Sequence, residues 1–372
     1  MKEKFWTAFS SIEEIDSIFV RKLYNYFGDI EAAFNVSKKD FENIKEIGEE
    51  NGLSEINIKK AEKFFKLRDK IDVDKTWDKV ESRGIKVLTF DDSKYPYMLS
   101  QIYNPPITLF YKGDLFSCNL EKTVAFVGSR RASTNGKDGV KKIISGLKNT
   151  DICIVSGLAE GIDSVSHRAA LENNLKTIGV IASGFDFEYP ASSRDLYKKL
   201  SEGAGAVVTE YYPTFEPIKF RFPQRNRIVT GLSYGTVVGE AAIKSGALIS
   251  ANLTLEQGRE LMCVPGSINN KNTEGIYKLL KNGATMVTTS EDVLNALGWQ
   301  VLDNANNCKQ KSDENISKQY LPLWSIISIE PKGFDELQAE TGMGTEKLLT
   351  LLTAMEVEGL IEQTEGDRYK RV

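Results

Sequence analysis

The chain has 372 residues, 41% hydrophobic and 27% charged, enough for two or three domains with ordinary cores and no need for a disulfide or metal staple. Its net charge of -4 excludes a uniformly basic nucleic-acid coat but leaves room for a local basic groove. Cys118, Cys153, Cys263 and Cys308 lie far apart with no C-x-x-C, and Cys153 and Cys263, inside apolar runs, read as buried thiols suited to a reducing cytoplasm. The N-terminal stretch lacks the apolar run of a signal peptide, and no window is long and apolar enough to span a membrane, so no membrane association is expected.

Residues 1–70 predict an N-terminal helical domain, a small bundle of the helix-hairpin-helix or SAM kind. Ile12, Ile15, Ile18, Phe19 and Leu23 recur at helical spacing, and Phe27-Gly28-Asp29 stops that helix. Ser37 caps a second helix with Asp40 three positions on. The segment KEIGEENGLSE reads as the turn of a helix-turn-helix unit, and Ile56 to Leu67 as a last helix. Contact with DNA backbone and a purely structural or partner-binding role both fit this bundle.

Residues 71–300 predict an extended Rossmann-like domain. Ile85–Thr89 and Leu109–Tyr111 are short strands in its leading segment. From Thr123 onward, apolar strands alternate with helices. The strands are 124–127, 152–155, 177–181, 206–209, 236–238, 260–264 and 284–287; the helices lie near 136–148, 162–173, 191–202, 251–258 and 273–282. This pattern means a parallel α/β sheet covered by helices on both faces, with ligands outside the carboxyl ends of the strands. Residues 301–318 are polar and aperiodic and read as a linker. Residues 319–372 predict a winged helix, with Thr345 capping its third helix and a two-stranded wing. Glu340, Glu346, Glu356 and Glu358 surround the recognition helix and Lys347 is its one base, so protein contact fits as well as DNA contact.

The strand ends carry small or basic residues: Gly128-Ser129-Arg130-Arg131, Ser156-Gly157 through Gly161, Ser183-Gly184 and Pro265-Gly266-Ser267. Glycines there let backbone amides approach an oxyanion. The stretch Phe220–Ala251 adds a basic turn with Arg221, Arg225 and Arg227, a buried strand, and small-residue turns at Gly231 and Ser245-Gly246. A phosphorylated ligand is expected on this edge. Neither a P-loop nor a standard dinucleotide fingerprint is present, and no cofactor or metal is expected.

These motifs resemble the DNA-processing protein A family, also called Smf. The resemblance rests on GSRRAS at 128–133, SGLAEGIDSVSHRAAL at 156–171, GFDFEYP at 184–190, FPQRNRIVTGLS at 222–233, EAAIKSGALISA at 240–251 and VPGS at 264–267. It implies a non-catalytic, dimeric protein of natural transformation that binds single-stranded DNA and loads the RecA recombinase onto it. Carried over by position, Arg130, Lys219, Phe222, Arg225 and Lys244 would contact DNA. Gly128, Ser129, Gly157, Gly161, Ser245, Gly246 and Gly266 would supply loop backbone. Gly239, where Val is commoner in the family, would loosen a buried strand. Of Arg225 and Arg227, one is expected to face ligand and the other to brace the turn, with Glu188, Glu210 or Glu240 as possible partners. Phe222 offers a stacking face, a core ring being the competing reading. Asn226 is expected to cap a following helix.

His167, the single histidine, lies among Ala169, Ala170 and Leu171 and reads as a packing residue. The alternative function is a nucleotide sensor or a phosphoribohydrolase-like enzyme. It rests on Gly231-x₃-Gly235-Thr236-x₃-Glu240, which resembles the PGG-x-GT-x₂-E loop of phosphoribohydrolases; Leu232-Ser233 stand where that loop has Pro-Gly-Gly, and the Glu is one residue displaced.

Overall fold

Alternation inside β3 (Thr123–Val127) shows how the sheet is covered. Ala125 and Val127 join one apolar cluster, Val124 and Phe126 the other. The first cluster takes Ile228 and Val229 from helix Arg221–Gly231, and Ala247 and Ala251 from helix Gly246–Glu256. The second takes Val140, Ile143 and Ile144 from helix Thr134–Gly146, and Ile162, Ala169 and Ala170 from helix Ile162–Glu172. Strands buried on both faces have no polar side, which is why they read as continuous apolar runs.

The computed structural model describes residues 2–41, 58–299, 320–328, 331–358, 360–364 and 368–371. The chain divides into two units, Met1–Gln300 and Val301–Val372. Among the described residues the large sheet has nine strands. In chain order they are β1 (Lys86–Thr89), β2 (Thr108–Gly113), β3, β4 (Cys153–Ser156), β5 (Thr177–Val180), β6 (Ala206–Thr209), β7 (Gly235–Val238), β8 (Glu260–Cys263) and β9 (Thr285–Met286). Their spatial order is β1-β2-β6-β5-β4-β3-β7-β8-β9. The strands from β6 to β9 in that order pair in parallel, whereas β1 and β2 add an antiparallel edge. The chain order reverses at β3, between β4 and β7, so the edge beside β3 is where such a sheet opens a crevice.

In the same unit, helices Glu3–Ser10, Ser17–Phe27, Ile30–Asn35 and Ile58–Arg68 pack Trp6, Phe9, Phe19, Leu23, Phe34 and Phe64 together. The expected single first helix is interrupted, because Asp16 accepts a hydrogen bond from Phe19 N and starts a new one. Gly28, at φ 64°, ends that helix as read from sequence, and Ser37 and Asp40 pair as expected. The KEIGEENGLSE turn, the whole 301–318 linker and Cys308 lie outside the described residues.

Two corrections concern the middle of the chain. The basic stretch after Phe220 is not a turn but helix Arg221–Gly231, since Pro223 sits in the first turn where its missing N–H is not needed. Asn226 therefore lies inside that helix and caps nothing; its Oδ1 accepts from Arg225 Nε at 3.3 Å. The next helix starts at Gly246, five residues earlier than read, because Ser245 caps it through Ala247 N.

The second unit is a winged helix. Helices Leu321–Trp324, Phe334–Thr341 and Thr345–Val357 pack Leu323, Leu337, Leu348, Leu352 and Met355 against Ile361 and Tyr369. Its sheet has three described strands rather than two, Lys332–Gly333 pairing with Arg368–Arg371, which pairs with Ile361–Thr364. Gly344, not Thr345, holds the cap position of the last helix.

His167 is buried, as its apolar neighbours suggested. Thr177 Oγ1 donates to Ile154 O, so it accepts from His167 Nδ1 at 2.7 Å, which fixes the neutral tautomer. Burial, helped by the nearby Arg225 charge, pushes the imidazole pKa down to about 3. A depressed histidine contributes fully above the unfolded value near pH 6.5, and that contribution is lost as pH falls toward the folded one. Urea unfolding of wild type from pH 6.5 downward should therefore show a slope steeper than that of His167→Gln by up to about 1.4 kcal/mol per pH unit.

Candidate nucleic-acid interface

The carbonyls at the ends of parallel strands point out of the sheet and need donors. At β4 and β5 one side chain supplies them. Arg225 Nη1 donates to Gly157 O at 2.5 Å and also to Val180 O. Arg225 is buried, and it forms no ion pair among the described residues. Burial lowers its pKa, opposed by the Asp163 charge. A guanidinium stays protonated under such conditions, so the site carries a fixed positive charge with no carboxylate in ion-pair contact among the described residues.

Asp163, buried, faces the same loop and accepts from Gly157 N at 3.2 Å and Ala159 N at 3.4 Å. Burial raises its pKa, while the Arg225 charge lowers it. A Cβ on Gly157 would stand 2.6 Å from Arg225 Nη2 and 2.7 Å from Asp163 Oδ2. Glycine is required here by close approach, not by its torsion angle.

Above Arg225 an open cleft of about 510 Å³ brings together Gly128, Arg130, Gly157, Lys219, Phe222 and Arg225 with Ser245 and Gly246. All eight come from the sequence reading. Phe222 is half-buried rather than a core ring; it meets Tyr189 edge-on at 5.5 Å, and Arg130 lies 5.4 Å over its face. Arg130 and Lys219 are exposed. Ser245-Gly246-Ala247 present the positive end of an eleven-residue helix to the cleft.

The remaining candidates sit elsewhere. Lys244 is exposed beside the cleft, one residue before its lining. Ser129 braces the loop: its amide donates to Glu240 O at 2.7 Å and its carbonyl accepts from Ile162 N at 3.3 Å. Gly161, at φ 81°, lets the β4 loop touch the β3 loop, where a Cβ would overlap Ser129 O. Gly266 packs on Thr273, outside the cleft lining. Arg227 also lies outside that lining, because it is held by Glu210 at 2.5 and 2.7 Å and by Asn104 O at 2.9 Å. Arg227 thus braces the helix and Arg225 faces the cleft. Glu188 pairs with Arg194 instead.

Glu240, the residue a glycosidic hydrolase would need beside a ribose, is buried and does not line the cleft. Its carboxylate accepts from Ser133 N at 3.0 Å and from Ser133 Oγ. Gly239 is required for packing, since a Cβ there would overlap Val140. Tyr189 was missed as a site residue, although its motif GFDFEYP was noted; an aromatic beside a proline gave no hint that it would meet Phe222. Among the described residues no group of histidine, cysteine, aspartate or glutamate is arranged to hold a metal ion.

A reversed α/β sheet, a loop-lined cleft at its carboxyl edge and a separate winged helix define a Rossmann-like protein with an accessory winged-helix unit. Residues 86–298 match the family model described as DNA recombination-mediator protein A, and residues 309–367 match the DprA winged helix domain. The chain is 42% identical to the DNA processing protein DprA of Streptococcus pneumoniae over 233 residues, 63% of this chain and 79% of that protein. It is 32% identical to the protein Smf of Escherichia coli over 316 residues, 84% of each. The X-ray structure of DNA processing protein A from Streptococcus pneumoniae matches with a TM-score of 0.66 at 35% identity, over 79% of this chain and 96% of that one. A structure of the Helicobacter pylori protein, described by its single-stranded DNA binding mode, matches with a TM-score of 0.52 at 28% identity, over 57% and 95%. The chain belongs to the DNA-processing protein A family.

Gly157→Ala tests the architecture directly. Forcing a methyl between Arg225 and Asp163 should cost about 1–3 kcal/mol in urea unfolding, with no such loss for an alanine at Gly246, where a Cβ meets open space.

Proposed function

We propose that the protein binds single-stranded DNA, without base preference, in the cleft above Arg225, and passes the strand to a RecA-type recombinase during uptake of DNA. The observation that carries the binding step is the juxtaposition in one cleft of exposed Arg130 and Lys219, the unpaired Arg225, a helix N-terminus and the Phe222–Tyr189 aromatic pair. Cations and amides suit successive phosphates, and rings suit any base. An unpaired strand can splay its bases onto those rings, whereas a duplex hides them. The Helicobacter pylori relative's single-stranded binding mode supports the same choice. Gly128, Gly157, Ser245 and Gly246 would offer backbone, Lys244 would extend the basic rim, and Ser129, Gly161 and Gly266 would hold the loops in place.

The recombinase hand-off, the homodimer and the absence of a reaction rest on family membership. A cytoplasmic site of action fits the three described cysteines, all free, and among the described residues no helix is long and apolar enough to cross a membrane. No observation favours the phosphoribohydrolase reading, since Glu240 is committed to Ser133.

Anisotropy titrations of labelled oligo-dT against duplex and AMP test the proposal. Oligo-dT should bind best, and its affinity should fall with salt. Arg130→Ala and Lys219→Ala should each reduce the log–log salt slope by about 0.7, one phosphate's worth. Phe222→Ala should weaken binding by about 1–3 kcal/mol while leaving that slope unchanged. Equal binding of duplex, or slopes unmoved in both cation variants, would remove the cleft from the account.

A further inference from the structure

Helix Arg221–Gly231 has two working faces. Phe222, Arg225 and Asn226 line the cleft. Arg221, Gln224 and Arg227 line a second cavity, of about 270 Å³, whose opposite wall is the N-terminal helical segment around Glu13. A face that borders a cavity is not held by close packing. On this side the helix is held by two ion pairs. Arg227–Glu210 ties it to the end of β6. Arg221–Glu13 ties it to the loop between the first two N-terminal helices.

Arg221 is 2% exposed, an unusual state for a charge at a helix start, and it is the first helical residue, directly before Phe222. Its guanidinium is enclosed by Tyr211 at 4.9 Å, Phe215 at 4.9 Å and Phe220 at 5.8 Å, and it also donates to Glu216 O. Within that cage its carboxylate partner is Glu13, whose side chain is 49% exposed. The rings enclose the guanidinium, and Glu13 is the carboxylate that reaches it from the N-terminal segment. Glu13 is thus linked by one ion pair to the first turn of the helix that carries Phe222 and Arg225.

We propose that Glu13 is a positioning residue for the nucleic-acid cleft. Through Arg221 it sets the position of helix Arg221–Gly231, so the docked N-terminal bundle and single-stranded DNA stabilise the same arrangement. This rests on the single-stranded DNA reading above. Coupling of this kind is reciprocal: DNA in the cleft must then stabilise the Glu13 loop.

The test uses the full chain with Glu13→Gln, which keeps the size of a half-exposed side chain and removes its charge. Simple electrostatics predicts tighter binding of a polyanion when an acid is lost. Positioning predicts the opposite, oligo-dT affinity roughly fivefold or more weaker, with the salt slope unchanged because no phosphate contact is removed. Amide hydrogen exchange supplies the second measurement. Oligo-dT should increase protection at residues 11–17 in wild type and not in Glu13→Gln. Tighter or equal binding by the variant, a reduced slope, or unaltered protection at 11–17 in wild type would each overturn the inference. Failure of wild type to bind oligo-dT would instead overturn the proposed function, so the two failures are distinct.

Discussion

One buried guanidinium organises the open edge of this protein. Arg225 satisfies two strand-end carbonyls, Gly157 O and Val180 O, that no other strand covers. Doing so brings its positive charge to the floor of the cleft with no carboxylate in ion-pair contact among the described residues. A hydrogen bond to a charged group contributes about 1.5–3 kcal/mol, so the surrounding loop is not free to drift. Gly157 and Asp163 are fitted to that charge. Gly161 keeps the β3 loop in register with the β4 loop. The cleft is thus a consequence of how the sheet terminates.

Much of this was legible in the sequence because strands buried on both faces are written as unbroken apolar runs. The strands following Thr123 appear within about one residue of their expected bounds, and the glycine-rich tips line up on one edge because parallel strands all end there. Helix Arg221–Gly231 was not legible. Three arginines and a proline in its first seven residues suggest a solvated turn, and its buried large apolar side chains are only Ile228 and Val229, with Leu232 just past its end. The error mattered chemically. A turn would present all three arginines to solvent, whereas a helix aims them in different directions: Arg225 to the strand ends, Arg227 to Glu210, Arg221 to Glu13. Nothing in residue type says which of the three meets a carboxylate. That is decided by tertiary neighbours 17 and 208 positions away.

Under the proposed function, a chain of net charge -4 has to offer a polyanion a local site. Long-range attraction is not available to a protein that repels the ligand on average, and screening limits it to about a Debye length in any case. What remains is short-range geometry. Arg130 and Lys219, both exposed and neither in an ion pair among the described residues, are placed around the Arg225 charge, which has no carboxylate in ion-pair contact among the described residues. Elsewhere exposed cations such as Lys122, Lys141 and Arg168 are engaged by acids. What sets this edge apart is that its two exposed cations stand beside a ring pair and a helix N-terminus in one cleft.

The winged-helix unit follows the opposite logic. Helix Thr345–Val357 carries Glu346 and Glu356 with Lys347 alone to offset them, and it exposes Leu349. Lys332 and Lys370, on its sheet, are paired with Glu340 and Glu362. The unit has the architecture of a groove reader, but both of these sheet lysines are engaged by acids and its last helix carries more acid than base.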